Sequence, residues 1–328
     1  MKRLARYIQS FVTICAVLLL GMIFLLGGTS ILGGCAPAPP FEEATDEADG
    51  EEGATLLLSA EASGGGVADL PEEYAILNLS LFMAEPGGDE LTDRFVYQPS
   101  TPIASADPGC LGCRQVKLPV DPTTLGRKDI YVIANHDNVA ALGDLRTVTD
   151  LKNLRTTRMR NEGRILLSRG LPMYGESPDT DLGAATSPTH IRLSRVCAKI
   201  QVDLTFTDPS WTGSNNYFRV EDAASYTYFA PNANFSIGAD ELIEYPQIIL
   251  IQQDAQRFSG TAYIYESARV PHITLYTVVG GRPREYVLST NFPLPTRGRM
   301  YHISVEIFPP LEDATRGEGG EARVVVKA

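Results

Sequence analysis

Five cysteines and four histidines are the residues of this 328-residue chain best able to carry covalent, redox or metal chemistry. Cys110 and Cys113 form a C-x-x-C pair around Leu111-Gly112. Such a pair can be a redox couple at a helix start, half of a metal site, or a small disulfide in an oxidising compartment. Asp107-Pro108-Gly109 and Gly112 mark a loop, not a helix start, and Cys197 alone is too little to complete a metal site. A loop disulfide between Cys110 and Cys113 is therefore the reading we favour. Cys197 leads into a strand-like stretch and is expected to be a buried thiol. The histidines, at positions 136, 190, 272 and 302, fall into no zinc-binding spacing, and neither a G-x-S-x-G nor a phosphate-binding glycine loop occurs. No catalytic residue, metal or cofactor is expected, and no enzyme.

Cys35 stands apart, because its neighbours give its thiol a context. Lys2, Arg3 and Arg6 precede the apolar run Phe11–Leu26, and small residues lead to Leu32-Gly33-Gly34-Cys35. A basic start, an apolar middle and a small-residue exit describe a secretory signal. The last four residues resemble the lipobox of bacterial lipoproteins. That resemblance implies a diacylglyceryl group on Cys35, signal cleavage before it and acylation of the new amine. The alternative is an uncleaved anchor, since Phe11–Leu32 is about as long as the ~20 apolar residues that cross a bilayer. Both place the body outside the cytoplasm. The expected organisation is a signal at 1–34, an acidic tether at 35–53, and β-domains at 54–188 and 189–328.

Charge supports that partition. Residues 36–93 hold fifteen Asp or Glu and no Lys or Arg, whereas residues 94–328 hold 25 of each sign. The net charge of −12 thus belongs to one segment. Low hydrophobicity with high charge makes 35–53 a solvated tether. Its acidic residues, so soon after a lipidated cysteine, also resemble the surface-export signals of Bacteroidetes lipoproteins. No basic patch is evident, and nucleic acid is not an expected partner.

The elements that must hold any site read as strands. Twenty-two prolines and 29 glycines separate short apolar runs. In Ala198–Thr207, Ile200, Val202, Leu204 and Phe206 alternate with Gln201, Asp203 and Thr205, the period of a half-buried strand. Tyr301–Phe308 repeats that pattern. His272–Val279, Glu285–Ser289, Gln247–Gln252, Thr261–Tyr265 and Ile130–Ala134 are further candidates, as is Tyr74–Ala84 with Leu77, Leu79, Leu81 and Met83 on one face. Val148–Leu154 has the spacing of a short helix, and the polar stretch Ser177–Pro188 reads as a domain junction. Many short strands without long helices predict a mainly β chain of sandwich type. The aromatics Tyr217, Phe218, Tyr226, Tyr228 and Phe229 could form a sugar-stacking platform, although packing within the fold is the favoured role.

Several landmarks in order resemble the type V pilins of Bacteroidales, the fimbrillin family. They are the lipobox, the strand with Leu79–Met83, "YVIAN" at Tyr131–Asn135, "LPMYGE" at Leu171–Glu176, "IRLSRVCAKIQVDL" at Ile191–Leu204 and the closing "RMYHISVEI". The resemblance implies two tandem transthyretin-like β-sandwiches, secretion as a lipoprotein, a place on the outer membrane and in the fimbrium, and other fimbrial subunits as partners. It also implies assembly by strand exchange. A trypsin-like protease removes the first strand, and a terminal strand of a neighbour fills the groove. The first strand is taken as Ala54–Ala60, with Leu56 and Leu58 inward. The donated strand is taken as Glu321–Ala328, with Val324 and Val326 on one side. With no Lys or Arg between Ala36 and Asp93, such a protease has no site before the first strand or just after it. An anchor or accessory role is the expectation; a shaft or tip pilin, or a glycan-binding surface lipoprotein, are the alternatives.

Overall fold

A computed structural model describes residues 55–60, 70–97, 113–117, 126–160, 164–183, 189–208, 213–232, 235–279, 281–308 and 322–327. The chain separates into Met1–Glu42 and a unit spanning Glu43–Ala328, and all described residues lie in the second. The signal, Cys35 and Cys110 lie outside the described residues. Among the described residues, no helix is long and apolar enough to cross a membrane.

The chain is mainly β, as its alternating runs dictate. Seven strands form the first sheet: β1 (Thr55–Ala60), β2 (Leu79–Ala84), β3 (Leu91–Tyr97), β4 (Cys113–Lys117), β5 (Arg127–Ala134), β6 (Met173–Asp181) and β7 (Thr189–Arg195). Their order across the sheet is β3-β2-β5-β6-β7-β1-β4. Only two residue pairs, Met173↔Arg195 and Tyr174↔Ser194, join β6 to β7. There Gly175 lets the backbones close, since a Cβ on it would lie 2.4 Å from the Arg192 carbonyl oxygen. One short helix, α1 (Val148–Lys152), buries Val148 and Leu151 against this sheet's core. The Thr147 hydroxyl accepts from the Asp150 N–H and the Asp150 carboxylate accepts from the Thr147 N–H, which sets the start of α1.

Beyond Val196 the chain builds a second set of sheets. Its strands are β8 (Cys197–Phe206), β9 (Ser214–Glu221), β10 (Ala223–Ala224), β11 (Leu242–Ile243), β12 (Ile248–Ile249), β13 (Ile251–Gln252), β14 (Arg257–Tyr265), β15 (His272–Val279), β16 (Arg282–Val287), β17 (Met300–Ile307) and β18 (Ala322–Lys327). A four-stranded sheet, β12-β9-β15-β16, and a five-stranded one, β13-β14-β8-β17-β18, share one apolar core, with β10 and β11 pairing separately. Phe218, Ile273 and Leu275 from the first layer meet Val202, Leu204, Ile303 and Val305 from the second. Apolar residues thus gather in two clusters; β8 passes from the first to the second between Cys197 and Ala198, while Ala224, Phe229, Ala230, Tyr263 and Tyr265 return to the first.

Most expected strands appear, with informative differences. Ile200, Val202, Leu204 and Phe206 are all buried, and so are Tyr301, Ile303, Val305 and Ile307. Tyr74–Ala84, by contrast, is strand only from Leu79, because Pro71–Tyr74 turns as a 3-10 helix. All six β2 residues are buried, including Ser80 and Phe82, so β2 is covered on both faces and alternation is no guide to it. The polar stretch at 177–188 begins within β6 and leads to β7 of the same sheet.

The chain beyond Ala198 also returns to the first core, to which Ala224, Phe229 and Ala230 belong. Leu154–Met159 lies along Ser225–Phe229. Phe229 N donates to Leu154 O (3.0 Å), Thr156 N to Thr227 O (2.8 Å) and Met159 N to Ser225 O (2.8 Å). Met159 packs against both clusters. Arg297 ion-pairs with Glu266 and donates to the carbonyls of Phe229 (2.6 Å) and Tyr228 (3.0 Å).

Candidate functional site

The elements singled out for exchange are the first and last strands. β1 is an internal strand, parallel to β7 and antiparallel to β4. Leu56 faces Thr189 on one side and Val116 on the other in register, and Leu58 faces Ile191 and Arg114. Every second residue of β1 enters the first core: Leu56 and Leu58 are fully buried and Ala60 is 9% exposed. Removing the two leucines from water contributes roughly 1.5–3 kcal/mol each. Taking β1 away would leave β7 and β4 without a common neighbour and bare the core where Leu56 and Leu58 sit.

β18 has the opposite standing. It is the edge strand of the five-stranded sheet and pairs with β17 alone. Val324 shares its register position with Val305 and Val326 with Ile303, while Arg323 is exposed. Six paired positions on one side hold it, so its removal costs one ladder and leaves β17 still supported by β8.

The segment after β1 is pinned by the sequence landmarks. Glu73 is fully buried and accepts from Lys199 Nζ at 2.6 Å and Arg195 Nη1 at 3.2 Å. The Arg195 guanidinium also covers the Tyr74 ring, 5.1 Å from its centroid. Asn135, the last residue of "YVIAN", holds φ at 58°, a left-handed conformation that asparagine tolerates. Its side chain accepts from Leu77 N (2.7 Å) and donates to Ala75 O (2.8 Å) and Leu171 O (2.7 Å). Asn78 Oδ1 accepts from His136 N at 2.9 Å. "YVIAN", "LPMYGE" and "IRLSRVCAK" thus converge on residues 73–78. The motifs were visible in the sequence, but their common target was not, because Glu73 gives no local sign of a partner 122 or 126 positions away.

The remaining candidates resolve differently. Cys113 begins β4 opposite Ser59, and its proposed partner Cys110 lies outside the described residues. Cys197 is a free, buried thiol, and burial pushes its pKa up to about 12. Phe218, Tyr226 and Phe229 are buried. Tyr226 and Tyr228 meet edge to face, each also meets Phe235, and Arg155 covers both, so their rings are engaged within the fold. Among the described residues, no group of His, Cys, Asp or Glu is placed to hold a metal ion.

No family model and no curated protein sequence matches the chain. Solved structures do match it. A candidate cell adhesion protein of Bacteroides eggerthii superposes with a TM-score of 0.55 at 18% identity, covering 84% of this chain and 95% of the other. The tip fimbrial protein Mfa3 of Porphyromonas gingivalis gives 0.53 at 13% identity, over 84% and 99%. A candidate cell adhesion protein of Parabacteroides distasonis gives 0.52 at 14%, over 84% and 96%. The fold is therefore of the β-sandwich kind shared by these Bacteroidales adhesion and fimbrial proteins.

Proposed function

We propose that this chain is a cell-surface fimbrial subunit of the type V pilin kind. In this reading it is an anchor or accessory component that stays attached through lipid on Cys35 at the outer membrane. Its partners are other fimbrial subunits, engaged by strand exchange. Its body is read as two sandwich domains, 54–188 and 189–328, and the presence of two apolar clusters supports a two-part body. A non-enzymatic role fits the shared fold.

The observation that carries the anchor role is the position of β1. It is internal, its leucines are buried, and no Lys or Arg stands between residues 36 and 93 to allow a trypsin-like cut on either side of it. A seated β1 keeps its place in the sheet closed to any donor, whereas the edge strand β18 is free to leave for a partner's groove. A tip role is the second reading, favoured by the fold shared with a tip fimbrial protein.

The test is the N-terminus of the protein recovered from outer membranes, alongside Gly53→Arg and Gly65→Arg variants. Wild type should begin at Cys35 and keep β1. Gly53→Arg should be cut and lose its lipid, and Gly65→Arg should lose β1 as well. Wild-type protein already clipped before residue 94 would transfer the case to a shaft or tip pilin.

A further inference from the structure

Counting charge over residues 94–328 as one block conceals a local excess. Between residues 146 and 164 stand six basic residues and two acidic ones. Arg146, Lys152, Arg155, Arg158, Arg160 and Arg164 are all exposed. They lie along α1 and the extended segment that ties the two cores together. None has a salt-bridge partner among the described residues. Their recorded contacts are to neutral groups: Arg146 to Gly143 O, Lys152 over the Tyr131 ring, Arg155 to Tyr228 Oη, and Arg158 to Asp240 O. The carboxylate that feels them most is Glu241. It is held below its usual range first by the Gly238 N–H, then by the Tyr226 hydroxyl and, at longer range, by Arg158 and Arg155. The expectation of no basic patch is therefore corrected locally: these six cations form a basic ridge with no salt-bridge partner among the described residues.

We propose that this ridge receives the acidic run Glu43–Glu52 of the same chain. That run holds Glu43, Asp46, Glu47, Asp49, Glu51 and Glu52 with no basic residue, so six carboxylates answer six cations. The run lies outside the described residues and ends three positions before β1. Only Gly53 and Ala54 join the run to β1, so its reach grows toward Glu43, which at ~3.3 Å per residue extends up to ~40 Å from Thr55, more than the ~30 Å breadth of a small domain. Attachment to β1 keeps the run at high effective concentration near the ridge, which favours the chain's own segment over a second copy. Exposed pairs of this kind are individually weak and respond to salt, so the contact is a reversible one. Released by salt or by a competing polyanion, the ridge would be open to an acidic partner at the seam between the two cores.

Lys152 makes the contact measurable, because it alone among the ridge residues carries a primary amine. The mature full-length protein is treated with a carbodiimide, which joins an amine to a carboxylate in direct contact, and the links are mapped after pepsin digestion. An equal mixture of isotope-labelled and unlabelled protein separates links within a chain from links between chains. We expect Lys152 joined to residues 43–52 within one chain at low ionic strength. The yield should fall about fivefold in ~0.5 M salt, where screening is nearly complete at contact range. It should fall as far in the Arg158→Glu, Arg160→Glu, Arg164→Glu variant. Should that variant misfold, neutralising the six carboxylates to Gln or Asn leaves the folded body untouched and should raise acylation of Lys152 by an amine reagent. Absence of the link, links only between labelled and unlabelled chains, or a yield indifferent to salt and to charge reversal would each overturn the proposal. So would Lys152 acylation unchanged by neutralising the run.

Discussion

Lys199 donates to Glu73 at 2.6 Å across 126 positions of sequence, with both side chains at 4% exposure or less. Arg195 shares the same carboxylate, and Val196, Cys197 and Ala198 between the two cations are where the chain passes from one core to the other. One acid therefore fixes the segment after β1, the end of β7 and the start of β8. Removing it takes from two buried cations the carboxylate they share. Glu73→Ala is expected to cost ~3–5 kcal/mol, the range for breaking a buried pair from one side. Glu73→Gln keeps the shape and should cost less. Urea unfolding of both variants measures this, and a Glu73→Ala midpoint equal to wild type would show the cluster contributes nothing.

Gly170 and Asn135 form a second rigid pair. Gly170 has φ of 71°, and a Cβ there would lie 2.4 Å from the Asn135 amide that binds Ala75 and Leu171. Gly170→Ala must strain its backbone and displace that amide together. A loss of about 2–4 kcal/mol is expected, one part from backbone strain and one from the unsatisfied buried groups. Asn135→Ala should lose a similar amount, and the double variant should lose less than the sum because both act on one network.

Acid should weaken the second core through Asp203. Burial raises its pKa, but hydrogen bonds from Ser259 (2.6 Å), His302 (2.6 Å) and Gln201 outweigh that and leave it below the usual value. A carboxylate lowered in the folded state adds stability above its unfolded pKa of about 3.9, and that stability is lost as pH falls through the folded value. Asp203→Asn should be less stable than wild type near neutrality, and the gap should close as pH falls below ~4. A gap that stays constant down to that range would assign the effect to packing.

Cys197 should resist thiol reagents while the protein is folded. Its thiol is fully buried and titrates near 12, so little thiolate exists at neutral pH and none of it is accessible. Labelling by a disulfide reagent should proceed at the unfolding rate and become fast in denaturant. Rapid labelling of native protein would mean that the seam between the cores opens.

Legibility followed the physics of each element. β8 and β17 have one face on the core and one toward polar surroundings, so their period of two could be read directly. β2 and β5 are covered on both sides, so the alternation of Leu79, Leu81 and Met83 does not show that Ser80, Phe82 and Ala84 are buried too. The two-residue strands β12 and β13 lie in different sheets with buried Leu250 between them, a change of layer that the expected single strand Gln247–Gln252 does not reveal. Leu56 and Leu58 were found because β1 is short and half-buried. The Glu73 cluster was hidden because a Pro-Glu-Glu sequence before a strand normally signals a solvated turn.

The lateral ties between the cores have a mechanical meaning. A load applied at the two ends of the folded body would not pass along a single connecting thread. It would be divided among the backbone bonds of Leu154–Met159 with Ser225–Phe229, the Arg297 brace and the Glu73 cluster, which must give way together. Beads on a string release length in small separate steps under tension, whereas a braced body of this kind stays inextensible and then yields in one large event. Pulling the protein in an optical trap should show that single rupture once the edge strand β18 has peeled from β17, and in the anchor role proposed above stiffness up to a threshold is the useful property.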